Sequence, residues 1–220
     1  MGTATLDNRI AEPQVDNAKR RQIMDGARRV FLAHGFDGAS MGEIARAAGV
    51  SKGTLYVYFD SKETLFEALT LAERGSLAEA LFRLDEHDPD VRAVLRRLGV
   101  SFLDAMVRPD HISSVRMVIG AADKFPRFGR AFYESGPECG QRRLAAYLDR
   151  QVEAGRLTIE DTQTAARQFL DLCASGVLKR LLFGALDAPP RPDAIARNVE
   201  EALHVFFAAY GVNLDAGGAD

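Results

Sequence analysis

No stretch of the 220 residues approaches the roughly 20 consecutive apolar positions that a membrane-crossing helix needs, although 47% of the chain is apolar. The opening "MGTATLDNRIAEPQVD" lacks the apolar centre of a secretory signal. Leu6 stands where a myristoylation signal requires Ser or Thr. Residues 1–16 therefore read as a disordered tail, and a cytoplasmic protein with no membrane partner is expected. Cysteine is scarce: Cys139 and Cys173 match no metal or redox spacing and read as small buried hydrophobes. The four histidines, His34, His87, His111 and His204, form no i,i+3 or i,i+4 pair, and no glutamate is spaced to complete a metal motif. Neither a nucleophile elbow nor a phosphate-binding glycine loop is present. These absences argue against an enzyme and leave no cofactor or metal to expect.

Strand-like alternation is missing too, and almost every periodic segment has helical spacing. In residues 17–34, Ile23, Ala27, Val30 and Phe31 form one stripe, with a glycine stop at "HGF". Ser40 and Glu43 make a capping box for a short helix that Gly49 ends. Ser51 opens another short helix carrying Leu55, Tyr56 and Phe59, and Ser61 opens a longer one with Glu63 in its first turn. After Asp88-Pro89 the pattern predicts helices at about 89–107, 110–122, 126–154 with a break near Gly136-Pro137, 160–184 and 192–210. The expectation is an all-α fold of about nine helices. Its domains would be a three-helix unit over 17–65 and a larger bundle over 66–212, with a polar tail at 213–220 and a boundary inside a helix.

Charge is divided unevenly. Residues 17–62 hold eight Lys/Arg and four acids, a net of +4, so the rest of the chain carries −7 of the total of −3. A basic end on an acidic body suits a polyanion at that end only.

The basic end contains the pattern short helix, glycine turn, short helix, which is a helix-turn-helix arrangement. Its outward residue types fit DNA. Ser51 and the first-turn amides suit a phosphate, and Gly53 allows close backbone approach. Thr54 offers a hydroxyl and a methyl for a base edge. Tyr56 and Tyr58 add phenolic donors, and Lys52 and Lys62 flank the surface. The pattern alone also fits an ordinary bundle, with Tyr56 as a core ring and Lys62 as a solvated first-turn residue.

The stretch "IARAAGVSKGTLYVYFDSKETLF", preceded by "GARRVFLAHGFDGAS", resembles the signature of the TetR/AcrR family of transcriptional regulators over about residues 19–66. "ADKFPRFGRAFYESGPECGQRRLAAYLDRQVEAGRL" is similar to the AefR-like branch. The resemblance implies three N-terminal helices that read DNA and a C-terminal bundle that binds ligand and dimerises. By position, Ser40 would meet phosphate, Ser51, Lys52, Gly53 and Thr54 would open the recognition helix, Tyr56 and Tyr58 would contact backbone, and Lys62 would grip phosphate. The partners implied are double-stranded DNA with a near-palindromic operator, a second copy of the chain and a small-molecule effector. Repression is the default expectation. Val57 is apolar where many relatives carry polar or aromatic groups.

In the body, large adaptable side chains suggest an effector site for a small, largely apolar molecule among Phe102, Met106, Met117, Phe125, Phe132, Tyr147, Phe169 and Cys173. A plain core is the competing reading of each. Asp104, His111, Arg116, Gln141, Arg143 and Gln168 are polar candidates near it. Apolar residues recur at spacings of three and four in 192–210, and 170–183 is apolar on more than one face, which suggests a homodimer through Val177, Leu178, Leu181, Val199, Leu203 and Phe206. A helical adaptor or ligand-binding bundle that never touches DNA, and less readily a helical-bundle enzyme, are the alternatives.

Overall fold

A computed structural model describes residues 12–212 of the chain, with side chains from Asn17 onward. Among these residues there are eleven α-helical segments and one π-helical turn. Leu157 and Gly211 form an isolated bridge. Two units separate, one ending at Thr70 and the other beginning at Leu71.

The first unit contains α1 (Glu12–Gly38), α2 (Met41–Ala48), α3 (Lys52–Tyr58) and the start of α4 (Lys62–Leu81). Helix α1 begins inside the segment expected to be a disordered tail. Pro13 is no obstacle there, because the N–H it lacks would have no partner in a first turn. The rest of that tail, residues 1–11, and the expected tail at 213–220 lie outside the described residues. Gly35, at φ 69° and ψ 178°, interrupts α1 where "HGF" falls. Phe31, Phe36 and Phe66 pack with ring centroids 5.1–6.0 Å apart. Ile23, Ile44, Leu55 and Leu65 fill the space beside them with no exposed surface. Helices α1 and α2 approach so closely that a Cβ on Gly26 would lie 2.6–2.7 Å from the backbone and Cβ of Ala48.

The second unit continues α4 and adds α5 (Val91–Met106), α6 (Pro109–Ala122), α7 (Pro126–Tyr133), a π-helical turn (Glu134–Glu138) and α8 (Cys139–Glu153). It closes with α9 (Thr162–Ala174), α10 (Leu178–Leu182) and α11 (Pro192–Tyr210). Two expected helices are each divided. The 126–154 helix passes through the π turn at Gly136-Pro137, where wider winding accommodates a proline that has no N–H to donate. The 160–184 helix stops at Ser175, because Gly176 adopts φ 71°, a region open to glycine and closed to most residues.

The core of this unit corrects several assignments. Tyr147, Phe169 and Cys173, expected on the effector site, are buried among α5, α8, α9 and α11, with the Phe169 ring 5.3 Å from Phe206. Val199, Leu203 and Phe206, expected at a dimer interface, point into the same core, and Leu181 is buried with them. A helical stripe identifies an apolar face and not what covers it. Here the neighbouring helices cover it. A Cβ on Gly99 of α5 would lie 2.7 Å from a Val199 methyl and 3.1 Å from the Cys173 sulfur, so the helices leave no room for a partner at this stripe.

Replacing a glycine within a helix by alanine ordinarily stabilises it by about 1 kcal/mol. At Gly26 the sign should reverse, because the new methyl meets backbone that cannot rotate away. Gly26→Ala is expected to destabilise the protein by about 1–3 kcal/mol, read from urea unfolding followed by circular dichroism. A gain in stability would refute the close packing of α1 on α2.

Candidate functional site

Helix α2 is set by its ends. The Ser40 hydroxyl accepts from the Glu43 amide at 3.2 Å, and Glu43 accepts from the Ser40 amide at 3.0 Å, closing the expected capping box. The Ser40 hydroxyl also donates to the Glu43 carboxylate at 2.6 Å, and this bond first, then the Ser40 amide, holds the Glu43 carboxyl below its usual range. At the other end Gly49 turns left-handed, φ 66°, and donates back to Ala45 and Arg46. The last carbonyls are taken by α1: Gln22 donates to the Ala48 oxygen at 2.6 Å, and Arg29 donates to the Ala47 oxygen.

Helix α3 follows with Ser51 as N-cap, accepting from the Thr54 amide at 3.0 Å. The two hydroxyls also pair at 2.8 Å. Leu55 is the buried anchor, and Phe59 closes the far end with the Arg20 guanidinium over its ring at 5.1 Å. The remaining face is open. Ser51, Lys52 and Gly53 are exposed, Thr54 and Tyr58 are half-buried, Tyr56 is 50% exposed and Val57 82%. The Lys52 side chain lies across Gly42 of α2, where a Cβ would sit 3.0 Å from its Cε. Ser40, Gly42, Arg46 and Lys52 line one shallow groove beside α3. The sequence reading passed over Gly42 and Arg46. Their signal is the spacing of Gly42 and Arg46, i and i+4 on one face of α2.

Lys62 is placed otherwise than expected. Its ammonium donates to the carbonyls of Phe36 at 2.7 Å, Ala39 at 3.0 Å and Asp37 at 3.4 Å, and stands over the Phe36 ring at 4.5 Å. An ammonium has three protons, and three carbonyls receive them. Lys62 is thus a strut between the start of α4 and the α1–α2 turn, rather than a donor extended toward a phosphate. Ser61 caps α4 as expected, and Thr64 returns the bond, the two closing reciprocally at 3.1–3.2 Å.

In the second unit a cavity of about 230 Å³ lies among α4, α5, α6, α7, the π turn, α8, α9 and the start of α10. Phe102, Met106 and Phe132 line it, as do Leu178, His111 and Gln141. Leu178 was expected at the dimer interface. Met117 and Phe125 lie off the lining, Met117 half-buried on α6 and Phe125 packed 5.0 Å from the Phe128 ring. Arg116 serves another end, donating to the carbonyls of Leu181 at 2.6 Å and Leu182 at 2.9 Å. Arg74, which the sequence reading missed, is buried on the cavity wall, its guanidinium 2.5 Å from His111 Nδ1 and 5.2 Å from the Phe132 ring centre. Burial and the adjacent Arg74 charge push the His111 imidazole down to about 4, so it is neutral and accepts at Nδ1. Among the described residues no group of three or more His, Cys, Asp or Glu could hold a metal, and no helix is long and apolar enough to cross a membrane.

Comparison with known proteins agrees with this arrangement. Residues 23–69 match the model of the tetR family of bacterial regulatory proteins, and residues 93–212 match the C-terminal domain of AefR-like transcriptional repressors. The HTH-type transcriptional repressor Rv1474c of Mycobacterium tuberculosis is 30% identical over 84% of this chain and 93% of its own length. Among solved structures, a TetR-family regulator from Mesorhizobium loti superposes with a TM-score of 0.80 at 27% identity, covering 89% of this chain and 98% of its own. The flavonoid-responsive regulator FrrA gives 0.76 at 35% identity, with the same coverage of both chains.

Two outcomes follow from the local chemistry. Lys62→Met keeps the stem and removes the three carbonyl bonds, so it should cost about 1–3 kcal/mol of stability, measured by urea unfolding; an unchanged midpoint would take Lys62 off those carbonyls. His111 has a folded pKa of about 4 against an ordinary 6.5, so the unfolded chain binds more protons between those values. Stability is therefore full above pH 6.5 and falls as the pH drops toward 4. By about pH 5 the loss should be on the order of 2 kcal/mol. The groups acting on it are Arg74 and Arg108, which favour the neutral ring, and Asp110, which opposes them. His111→Gln should flatten this part of the pH–stability profile; an equally steep fall in the variant would assign it to other groups.

Proposed function

The chain belongs to the TetR family of bacterial regulators, and from that premise we propose that it is a homodimeric, cytoplasmic, DNA-binding repressor that releases its operator when a small molecule enters the cavity of the second unit. TetR-family regulators bind DNA through a helix-turn-helix and dimerise, and relatives of this chain are named repressors. The observation that carries the reading is α3 itself. Leu55 fixes it to the core while Lys52, Gly53, Thr54, Tyr56 and Val57 stand outward together, beside the groove of Ser40, Gly42, Arg46 and Lys52. Small donors, a bare backbone and a methyl-bearing face suit phosphates and a major-groove edge.

The dimer surface lies outside the core stripe. Phe183, 87% exposed, and Val205, 50% exposed, are the outward apolar groups near α10 and on α11. Ala208, also exposed, lies three residues beyond Val205 on α11. FrrA is named for its response to flavonoids, which supports effector control here. Moving a two-state population from 1:99 to 99:1 needs about 5.5 kcal/mol of differential affinity, so the cavity has to change shape between states. The π turn and Met106 on its wall supply adaptable material. Residues 74–82 of the wall belong to α4 and the turn that follows it, and α4 starts at the Lys62 strut.

The test is binding to the protein's own upstream DNA by fluorescence anisotropy, with a random duplex as control. A near-palindromic site with half-site centres roughly 34–36 Å apart is expected. Tyr56→Phe should weaken all sequences about fivefold, whereas Thr54→Ala should change base preference. Lys62→Met should weaken binding without flattening the salt dependence, since a phosphate contact made by both subunits would remove about 2 from the slope. Sedimentation should show a dimer, and Phe183→Asp with Val205→Asp should give a monomer that binds DNA poorly. A wild-type monomer at micromolar concentration, or equal affinity for the random duplex, would overturn the proposal.

A further inference from the structure

The cavity wall carries more information than size and greasiness. Its lining is mostly apolar, yet Arg74, only 7% exposed, enters it from α4. The guanidinium is held from several sides: it donates toward His111 Nδ1, lies against the Phe132 ring, and has the Glu73 carboxylate 3.7 Å from Nη2. The π turn completes the setting, since a Cβ on Gly136 would lie 3.5 Å from the Arg74 Cβ and 3.6 Å from its Cγ and Cδ. The backbone of the turn therefore packs along the arginine stem. π-Helical turns inside α-helical runs are frequent at functional sites.

Resting on the effector-controlled reading above, we propose that the ligand of this cavity is an organic acid, with an apolar, ring-sized body among Phe102, Met106 and Phe132 and an anionic head at Arg74.

Three physical points support it. A wholly apolar guest would lie against a guanidinium and give it no hydrogen bond, which is costly in a poorly hydrated site. An anionic head returns a charge-assisted bond, and the planar five-donor fork of arginine can engage His111, Glu73 and a ligand oxygen at once. His111, as the neutral partner, adds no second positive charge to Arg74, which already faces the Glu73 carboxylate, and keeps an imidazole N–H on its other nitrogen. Asp171, the one acid among the lining residues, is exposed to solvent. Size agrees as well: about 150 Å³ admits benzene, so 230 Å³ admits a bicyclic ring with a small head group.

The experiment compares 2-naphthoate with its neutral isostere 2-naphthamide, and benzoate with benzamide, on the full-length protein. Calorimetry reads binding, and anisotropy with operator DNA reads release. 2-Naphthoate should bind at least about tenfold tighter than 2-naphthamide, and Arg74→Met, which keeps the apolar stem, should abolish that preference. Arg74→Lys should retain part of it. Ligand-free operator affinity should be unchanged in both variants, which also shows that they are folded. Equal affinity of acid and amide, or a preference that survives Arg74→Met, overturns the proposal. Failure of all four probes to bind overturns it too, because the cavity would then not be a site. An acid preference with no effect on operator binding leaves the acid site standing and sinks the release mechanism instead.

Discussion

A helix of seven residues does not hold together alone, because nucleating its first turn costs more than so few hydrogen bonds return. Helix α3 is that short, and α2 has eight residues. The first unit is organised around this constraint. Caps satisfy the orphan amides at Ser40 and Ser51. Side chains from neighbouring segments take the carbonyls that the helix ends leave over: Gln22 and Arg29 at the end of α2, Lys62 at the α1–α2 turn. The missing side chain of Gly26 lets α1 lie close enough for those reaches to be short. Only because the inner face of α3 is so fully determined can its outer face carry an 82% exposed valine and a half-exposed tyrosine without losing its position.

The second unit meets the opposite difficulty. It has apolar surface in plenty, but it places a guanidinium inside. Packed hydrophobic residues of similar volume are often as stable as a buried ion or more so, so Arg74 is poorly explained as a stabilising element. Its neighbours limit the cost through a neutral imidazole, an aromatic face and a carboxylate at 3.7 Å. The imidazole is neutral because of the same burial and the same arginine. Arrangements of this kind make sense where discrimination matters more than the last increment of stability.

What the sequence disclosed followed the range of the physics. Caps and glycine stops act over three or four residues, and Ser40, Glu43, Gly49 and Ser51 were legible one by one. The TetR/AcrR resemblance then supplied the meaning of the order. Facing is a tertiary matter. Val199, Leu203 and Phe206 formed a correct apolar stripe, yet nothing local says that α5, α8 and α9 already cover it. Lys62 failed for the same reason: a cation at a helix start looks solvated until the carbonyls of Phe36 and Ala39, more than twenty residues earlier, come beneath it. Phe102, Met106 and Phe132 reached the cavity while Tyr147, Phe169 and Cys173 stayed in the core, a distinction that composition does not encode. Arg74 was invisible because an arginine in a helix is ordinarily solvent-exposed.

The charge division gives these two sites different relations to salt. Residues 17–62 carry +4, and binding that neutralises phosphates releases counterions, so it weakens steeply as salt rises. An acid entering the second unit approaches a part of the protein whose charges nearly balance, 19 Lys/Arg against 20 Asp/Glu over residues 71–212, so long-range attraction does not draw it in. Its recognition rests on a single cation held away from solvent, where added salt screens little. Salt therefore acts on one arm of the switch and hardly on the other. At low ionic strength DNA affinity is exaggerated relative to ligand affinity and release needs more ligand. As ionic strength rises the same ligand occupancy opposes a weaker grip. The separation of a diffuse surface charge for DNA from one buried charge for the ligand is what allows the two affinities to be set independently.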